Sequence, residues 1–340
     1  MILRWAFGAL CGLAAITGCL SDARAEPLVI RVSWSVVPGQ FAPLVPLMPK
    51  YAPDVLRHYD KTYVVEPIRL LGGGASLTAL ASGDHDLDTS SPPTLTLGVS
   101  QAKLDLRVIA QQVATEVPDY LYTSFWVRAD DVHTIDDLRG KVIAVPGLGG
   151  NPDVAAKMIM RAHKMTTPND YQLVELPFTA MIPALTSKRI DAGILVPPFN
   201  VMAEGDKTLK PLFSVHDAMG PVETVFWMAK ADYVAAHRAA LVDFLEDNIR
   251  MRRWMFDPKT RDAAIKMLSA FTKIPASGFS SWIFTHKDYY YPPDALTDAK
   301  ILQHNVDVMY EAGVIPSTID VAPYVDMSLA KEAAARVTTP

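Results

Sequence analysis

The sequence predicts an α/β fold built from two lobes of similar plan. An 18-residue segment occurs twice, as SLTALASGDHDLDTSSPP at residues 76–93 and MIPALTSKRIDAGILVPP at residues 181–198. The copies align without a gap at an offset of 105 residues, and six positions are identical. The pattern of each copy predicts a short helix, a turn and a strand, followed by a Pro-Pro pair. The Pro-Pro pair ends strand pairing because proline has no N–H to donate. Two copies 105 residues apart do not indicate a solenoid, which needs a short period and several copies. We therefore expect one copy in each lobe.

The first half of the chain predicts a strand, a glycine loop, a helix and a second strand. The β-branched run LVIRVSWS at residues 28–35 predicts the first strand. Residues 40–59 contain three prolines in their first half, so we expect that half to be irregular and the second half to be helical. A second strand at residues 63–71 leads through the loop GGGAS into the first repeat copy. A helix to about residue 104 and a strand at 106–113 follow.

The second half continues with alternating strands and helices. The loop GLGGNPD at residues 147–153 opens a helix that runs to about residue 164. Asn151 is its predicted N-cap and Pro152 its first residue, which together are a strong start signal. From residue 231 onward the pattern changes to long helices. Strands are predicted at 120–127, 141–146, 171–176, 192–196, 211–215 and 222–228, a short helical turn at 134–140, and long helices at 231–256, 261–270 and 294–312.

No low-complexity linker divides the chain, so we expect the lobes to be joined by crossing strands. The strand at residues 120–127 would leave the first lobe, and the strand at 222–228 would return to it. These crossings predict a first lobe formed by residues 26–121 and 223–340, and a second lobe formed by residues 122–222.

The N-terminus has the pattern of a secretory signal peptide. A charged start is followed by an apolar run over residues 5–20 and by the triplet Ala23-Arg24-Ala25, so cleavage is expected before Glu26. The apolar run is shorter than the ~20 residues that a membrane-spanning helix needs. Residues 16–19 (ITGC) resemble a lipobox in which Cys19 would be acylated. Anchoring of the protein to a membrane by a lipid on Cys19 is therefore an open alternative to its release after cleavage.

Composition excludes several classes of protein. Both cysteines, Cys11 and Cys19, lie in the predicted signal peptide, so the mature chain would have no disulfide, thiolate metal site or cysteine nucleophile. Cleavage would change 32 basic and 37 acidic residues to 30 and 36, for a net charge of −6. A nucleic-acid-binding protein would carry a basic excess gathered on one face. We expect no nucleic-acid partner.

Three loops share the order strand, small-residue turn, helix. They lie at residues 72–76, 147–151 and 177–180. Helix N-termini offer free N–H groups and the positive end of the helix dipole, which bind anions without a charged side chain. Ligands of open parallel sheets bind in the crevice beyond the carboxyl ends of the strands. The three loops therefore predict a ligand-binding cleft.

The sequence carries no convincing catalytic motif. Its eight histidines are scattered without metal-binding spacing, and His85 beside Asp86 is interpreted as a turn residue. There is no G-x-S-x-G elbow, and Ser90-Ser91 has no base that the sequence assigns to it. The glycines of residues 147–150 do not complete a dinucleotide-binding fingerprint. We expect a protein that is not an enzyme and holds no cofactor and no metal.

Three segments carry a resemblance to a known family. They are the glycine loop with ALASGDHD in residues 72–86, IDDLRGKVIAV at residues 135–145, and ALTSKRIDA with Pro-Pro-Phe in residues 184–199. They resemble segments of the type II periplasmic substrate-binding proteins of ABC importers, in the nitrate, sulfonate and taurine branch of the thiamine-pyrimidine-synthase-like superfamily. The resemblance covers nearly the whole mature chain.

The resemblance implies a two-lobed periplasmic binding fold, in which each lobe is a mostly parallel sheet flanked by helices. The lobes would close on a small molecule in the periplasm and deliver it to a membrane permease and its ATPase, and the protein would act as a monomer. The ligand contacts that it implies fall on Trp34, Ser35, Gly73, Gly74, Ala75, Ser76, Ser90, Ser91, Gly149, Gly150, Asn151, Pro198 and Phe199, with Phe178 on an apolar side.

These loops contain no Arg or Lys, so an anionic ligand would depend on backbone N–H groups and hydroxyls. Trp34, Phe178 and Phe199 would suit a sulfonate or carboxylate with an aromatic or alkyl body.

Two other functions stay open. One is an enzyme on the same fold, like the related pyrimidine synthases, although their cysteine-rich motif and iron chemistry do not fit a mature chain without cysteine. The other is a ligand sensor for a membrane signalling partner.

Overall fold

The computed structural model describes residues 26–338 of the chain. The predicted signal peptide, with Cys11, Cys19 and the lipobox, lies outside the described residues. In residues 26–338, no helix is both long enough and apolar enough to cross a membrane.

Ten strands occur in residues 26–338 and form three sheets. In chain order they are β1 (Leu28–Trp34), β2 (Tyr63–Arg69), β3 (Asp88–Ser90), β4 (Leu106–Thr115), β5 (Ser124–Arg128), β6 (Val142–Val145), β7 (Gln172–Glu175), β8 (Ala192–Leu195), β9 (Leu209–Ser214) and β10 (Val222–Lys230).

The α/β class is confirmed, and of the three sheets one is parallel, one is antiparallel and one is mixed. β1 pairs with β2 in parallel, and β10 lies between β3 and β4, antiparallel to both. The five-stranded sheet has the order β7-β6-β8-β5-β9, in which β6 is parallel to β7 and β8, while β5 is antiparallel to β8 and β9. Among the strands of residues 26–338, every antiparallel pair involves β5 or β10. In the sequence, β5 is the first strand of the five-stranded sheet and β10 is the first strand after that sheet.

Helices cover the sheets and follow the strands in sequence. They are α1 (Met48–Tyr51), α2 (Gly73–Ser82), α3 (Pro92–Ser100), α4 (Asn151–Ala162), α5 (Phe178–Thr186), α6 (Phe199–Glu204), α7 (Val215–Met219), α8 (Ala231–Ala236), α9 (Arg238–Phe256), α10 (Arg261–Thr272), α11 (Ser277–Ser280), α12 (Ala299–Glu311) and α13 (Ser328–Thr338). Short 3-10 helices occur at Ala42–Leu47, Asp136–Leu138 and Ala322–Tyr324.

Two hydrophobic cores hold the molecule together. One lies between β1, β2 and the helices α9 and α10, with Ile30 and Leu245 among its fully buried members. The other surrounds the five-stranded sheet, where the rings of Phe125 and Phe213 stack with centroids 4.6 Å apart. Burial of such apolar side chains is the main favourable contribution to folding.

Two local predictions were wrong in detail. The helical turns of residues 40–59 lie at Ala42–Leu47 and Met48–Tyr51, mostly in the first half, because Pro43 and Pro49 occupy early helical positions, where no N–H is needed. The N-cap of α4 is Gly150, and Asn151 is the first helical residue. The Asn151 side chain instead donates from Nδ2 to the carbonyl of Thr224 on β10, at 3.2 Å.

The two repeat copies form matching units. The first copy supplies most of α2 and all of β3, and the second supplies most of α5 and all of β8. Asp86 accepts hydrogen bonds from the backbone N–H of Arg31 at 3.0 Å and from its guanidinium at 2.6 Å. At the equivalent position, Asp191 pairs with Arg128 at 2.8 Å and accepts from the N–H of Val142 at 3.0 Å. Each repeated aspartate thus ties its turn to a neighbouring strand.

A buried acid on β10 makes stability depend on pH. Burial raises the pKa of Glu223 to about 8, and its Oε2 has no hydrogen-bond partner among the described residues. Because the folded state holds this proton more tightly than the unfolded chain, its contribution to stability falls as pH rises from 4.5 to about 8. We expect Glu223→Gln to stabilise the protein by about 1–3 kcal/mol at pH 8.5 and to have little effect at pH 4.5.

Urea unfolding of both proteins at the two pH values measures this difference. Glu204→Gln, which makes the same change at an exposed acid, is the control. A Glu223→Gln variant that shows the same stability difference from wild type at both pH values would contradict the prediction.

Candidate ligand-binding site

A cavity lies between the five-stranded sheet and the two smaller sheets. Its empty volume is about 1050 Å³ when the solvent at its mouth is included. It opens where four strands end: the residues that follow or finish β1, β3, β6 and β8 all line it. The carboxyl ends of strands are the usual ligand position in α/β folds. The cavity therefore lies in the kind of position where the sequence predicts a ligand-binding cleft.

Nine of the fourteen predicted ligand contacts line this cavity. Gly74 instead donates its N–H to the carbonyl of Leu148 at 3.2 Å, and Phe199 stacks behind Phe178 with ring centroids 6.5 Å apart. The nine lining residues are Trp34, Ser35, Gly73, Ser76, Ser90, Ser91, Gly150, Asn151 and Phe178. The five that lie outside the lining are Gly74, Ala75, Gly149, Pro198 and Phe199.

Four helices begin at the cavity. The first or capping residues of α2, α3, α4 and α5 are lining residues, so the positive dipole end of each helix faces the same space. α3 begins with Pro92 and Pro93, which have no N–H, so it offers fewer N–H donors than the other three helices. Two buried side-chain oxygens at these positions, Ser90 Oγ and Asn151 Oδ1, have no hydrogen-bond partner among the described residues. Buried polar atoms normally have a partner, so a ligand is a natural one here.

The lining contains further polar side chains that sequence reasoning missed. Gln40 accepts hydrogen bonds through Oε1 from the N–H groups of Ser35, at 2.5 Å, and Val36, at 3.3 Å, and so shapes the loop after β1. Ser33 and Thr89 adjoin predicted residues, and their position at strand ends was a usable signal. No local pattern marks the remainder, which are Thr94, Thr115, Thr123, Thr224 and Tyr289.

Within the described residues, no Asp, Glu, Lys, Arg or His lines the cavity. Its chemistry consists of hydroxyls, amides, backbone groups and the rings of Trp34, Phe178 and Tyr289. This set can hold a polar ligand by hydrogen bonds and apolar contacts.

A buried carboxylate lies directly behind the cavity wall. Asp88 on β3 is fully buried, and its Oδ1 accepts hydrogen bonds from Ser33 Oγ at 2.8 Å and from Ser76 Oγ. His85 Nε2 lies 3.0 Å from the same oxygen. His85 occupies the turn after α2, as interpreted from the sequence, but its side chain is buried. Asp88, Ser33, Ser76 and His85 together are called the Asp88 cluster below.

The glycine loops of the two sides touch at the cavity. A Cβ placed on Gly147 would lie 2.5 Å from the Cα of Gly72, and one on Gly73 would lie 2.6 Å from the carbonyl oxygen of Gly149. Real Cβ atoms do not approach other atoms so closely, so these glycines permit backbone-to-backbone contact across the cavity. The two loops are therefore in van der Waals contact.

Comparison with known proteins places the chain in a family. The family model described as NMT1/THI5 like matches residues 68–252, more than half of the chain. No curated protein gives a significant match to the sequence.

Solved structures share the fold. The alkanesulfonate-binding protein SsuA from Xanthomonas axonopodis pv. citri, bound to MOPS, is 19% identical, with a TM-score of 0.66 over 89% of this chain and 100% of that chain. A protein from Bordetella bronchiseptica RB50 is 15% identical, with a TM-score of 0.72 over 92% and 98%. The periplasmic nitrate-binding protein NrtA from Synechocystis PCC 6803 is 14% identical, with a TM-score of 0.66 over 93% and 90%. The resemblance seen in the sequence is confirmed, and this chain belongs to the NMT1/THI5-like family.

Proposed function

We propose that this protein is the solute-binding component of an ABC importer and that it closes two lobes on a small organic molecule. One observation carries the proposal: four helix N-termini and a set of hydroxyls converge on a cavity that has no charged side chain in its described lining. Such a site favours a sulfonate or carboxylate held by N–H and O–H donors, with its body against Trp34 and Phe178.

The proposed lobes follow the sheets. Residues 26–121 and 223–340 form the first lobe, which contains the two smaller sheets, and residues 122–222 form the second, which contains the five-stranded sheet. The proposed contacts are the nine predicted residues that line the cavity. The similar fold of the sulfonate-binding protein SsuA and the nitrate-binding protein NrtA supports a ligand of this kind.

The proposal places the mature protein in the periplasm as a monomer that hands its ligand to a permease and an ATPase. The predicted signal peptide supports export, and acylation of Cys19 would anchor the protein to the membrane surface. We propose a receptor rather than an enzyme, because solved structures that share the fold include a sulfonate-binding and a nitrate-binding protein.

Isothermal titration calorimetry on the secreted protein tests the proposal. The panel contains alkyl and aromatic sulfonates, nitrate, aromatic carboxylates and pyrimidines. We expect at least one member to bind with a dissociation constant well below millimolar. A panel in which every compound binds only at millimolar concentrations or above would contradict the proposed function.

Ser91 provides a residue-level prediction for the same assay. Its hydroxyl lies 3.0 Å from Thr94 Oγ1 at the start of α3 and lines the cavity. If Ser91 donates to the ligand, Ser91→Ala should weaken binding by about 0.5–3 kcal/mol. Ser82→Ala, which changes an exposed serine at the end of α2, is the control. Equal affinity of Ser91→Ala and wild type would remove Ser91 from the site.

A further inference from the structure

Glu116 carries a fully buried carboxyl group in residues 116–123, which connect β4 to β5. Its φ is 60°, in the left-handed region that is unfavourable for a residue with a side chain. Its Oε1 accepts the N–H of Thr123 at 2.8 Å, and its Oε2 accepts the N–H of His216, in the first turn of α7, at 3.1 Å. Backbone strain of this kind persists only where the surrounding contacts fix it. The carboxyl group therefore ties the two ends of the connection to each other and to α7.

The same carboxyl group lies directly behind the cavity wall. The hydroxyls of Thr115 and Thr123 both hydrogen-bond to it, and both residues line the cavity. Thr115 also hydrogen-bonds to the hydroxyl of Thr224, a third lining residue. A ligand in contact with these threonines would be separated from the Glu116 carboxyl group by a single layer of side chains.

In residues 26–338, no positively charged side chain pairs with Glu116, and the described cavity lining contains none either. Asp88 differs in this respect, because in the Asp88 cluster the imidazole of His85 lies 3.0 Å from Asp88 Oδ1. Burial raises the pKa of Glu116 to about 7, although the hydrogen bonds to its oxygens oppose this increase. Glu116 can therefore change its charge near neutral pH.

The other titratable side chains around Glu116 belong to the loop between α11 and α12 and to α7. Tyr289 lines the cavity, and burial together with Asp288 and Glu116 raises its pKa well above its usual value, so it stays neutral. Asp288, whose pKa burial raises to about 7, accepts the N–H of Tyr289 at 2.7 Å. The ring of His216 stacks on Tyr122, with centroids 4.5 Å apart. Of these groups, Glu116 is the one that is hydrogen-bonded to threonine hydroxyls of the described lining.

We propose that Glu116 is a proton switch for this site: an anionic ligand binds most tightly when Glu116 is protonated, and its binding takes up a proton when Glu116 is ionised. An anion in the cavity would place a second negative charge near this carboxyl group and would exclude water from the wall. Both effects disfavour the ionised carboxylate. The complex therefore holds the proton more tightly than the free protein.

The sign of the pH dependence follows from this difference. Affinity is full below the pKa of Glu116 in the free protein, about 7, and falls as pH rises from there through the higher pKa of the complex. This inference rests on the proposed receptor function and adds control by pH to it.

Calorimetry at constant ionic strength tests the switch. The probes are ethanesulfonate, 4-methylbenzenesulfonate, nitrate and benzoate, whose charge does not change between pH 6 and pH 9, with any other panel anion of constant charge that binds. For the wild-type protein, we expect the dissociation constant of each bound anion to be about 5-fold or more larger at pH 9 than at pH 6, since a pKa shift of one unit corresponds to about 10-fold. Titrations in two buffers of different ionisation enthalpy count the protons, and we expect net uptake at pH 8.

Glu116→Gln keeps the shape of the side chain and cannot ionise. Its dissociation constants should change by less than about 2-fold between pH 6 and pH 9, and proton uptake should vanish. Glu223→Gln is the matched control, because Glu223 is also a buried acid with a raised pKa but accepts the N–H of Asp298 rather than a bond from the lining. It should keep the wild-type pH dependence of binding.

A second measurement does not need Glu116→Gln to fold. In carbon-13 NMR of glutamate carboxyl groups, recorded on Glu223→Gln, the glutamate that titrates near pH 7 should titrate at a higher pH in the complex saturated with the anion. A glutamate whose titration is unchanged by the anion would contradict the switch.

Equal affinity at pH 6 and pH 9 in the wild-type protein overturns the inference and leaves the receptor proposal standing. A pH dependence that persists in Glu116→Gln, or that disappears in Glu223→Gln, belongs to another group and also overturns it. Binding of a neutral pyrimidine in place of every anion overturns it too, because a neutral ligand adds no charge beside the carboxyl group. Failure of the anions and of the whole panel contradicts the proposed function itself.

Discussion

Replacing Gly147 with alanine is expected to weaken ligand binding on the order of 100-fold. The added Cβ would lie 2.5 Å from the Cα and 2.8 Å from the N of Gly72, so the two loops would have to separate. Both contacts are backbone atoms, which cannot rotate away as the end of a side chain can. Gly147 itself does not have a positive φ, so alanine at this position adds a steric contact without backbone strain. In the proposed receptor, closure of the lobes over the ligand would be incomplete.

Calorimetry with the tightest-binding probe measures the loss, and small-angle X-ray scattering of the liganded protein measures the closure. We expect a larger radius of gyration for Gly147→Ala than for wild type under saturating probe. Gly74→Ala is the matched control in the facing loop, since its Cβ would make only an ordinary contact of 3.5 Å with the Leu148 carbonyl. Wild-type affinity and scattering for Gly147→Ala would show that the contact of Gly72 with Gly147 is not part of the ligand-bound state.

The sequence predicted the fold where local patterns determine it. The β-branched run of β1, the glycine loop before α2 and the duplicated helix and strand all lie within two or three residues of their expected positions. The mixed strand directions were not predictable from local patterns, because β10 pairs with β3 and β4 across more than a hundred residues. Which distant strands pair is decided by tertiary packing, which a single-sequence pattern does not encode.

At the site too, local patterns predicted some residues, and tertiary packing decided the others. Ser35, Ser90 and Gly150 were predicted as ligand contacts because they follow strands or precede helices, where α/β folds bind ligands, and all three line the cavity. No local motif marks Asp88 as a residue that supports the site. Its burial against Ser33 and Ser76 depends on how α2 packs over β1 and β3, so only the three-dimensional structure reveals its hydrogen-bond partners.

Asp247→Ala is expected to lower the free energy of unfolding by about 3–5 kcal/mol. The carboxylate of this fully buried residue on α9 accepts four hydrogen bonds across nearly two hundred residues of sequence. Its Oδ1 accepts the N–H of Arg57 at 2.7 Å, and its Oδ2 accepts the N–H groups of His58 and Tyr59 at 2.9 and 3.0 Å. The hydroxyl of Tyr63 adds a fourth bond at 3.0 Å. Alanine would leave all these donors without their acceptor.

Urea unfolding followed by circular dichroism measures the loss, and the neighbouring turn of α9 supplies the control. Asp243 has a partly exposed carboxylate that pairs with Arg336 at 2.9 Å, so Asp243→Ala should cost about 1 kcal/mol or less. The contrast separates a carboxylate that organises a buried backbone turn from one that makes an ion pair near the surface. Equal losses for the two variants would mean that water replaces the Asp247 oxygens. The turn at residues 57–59 would then be held by its own backbone and by packing rather than by α9.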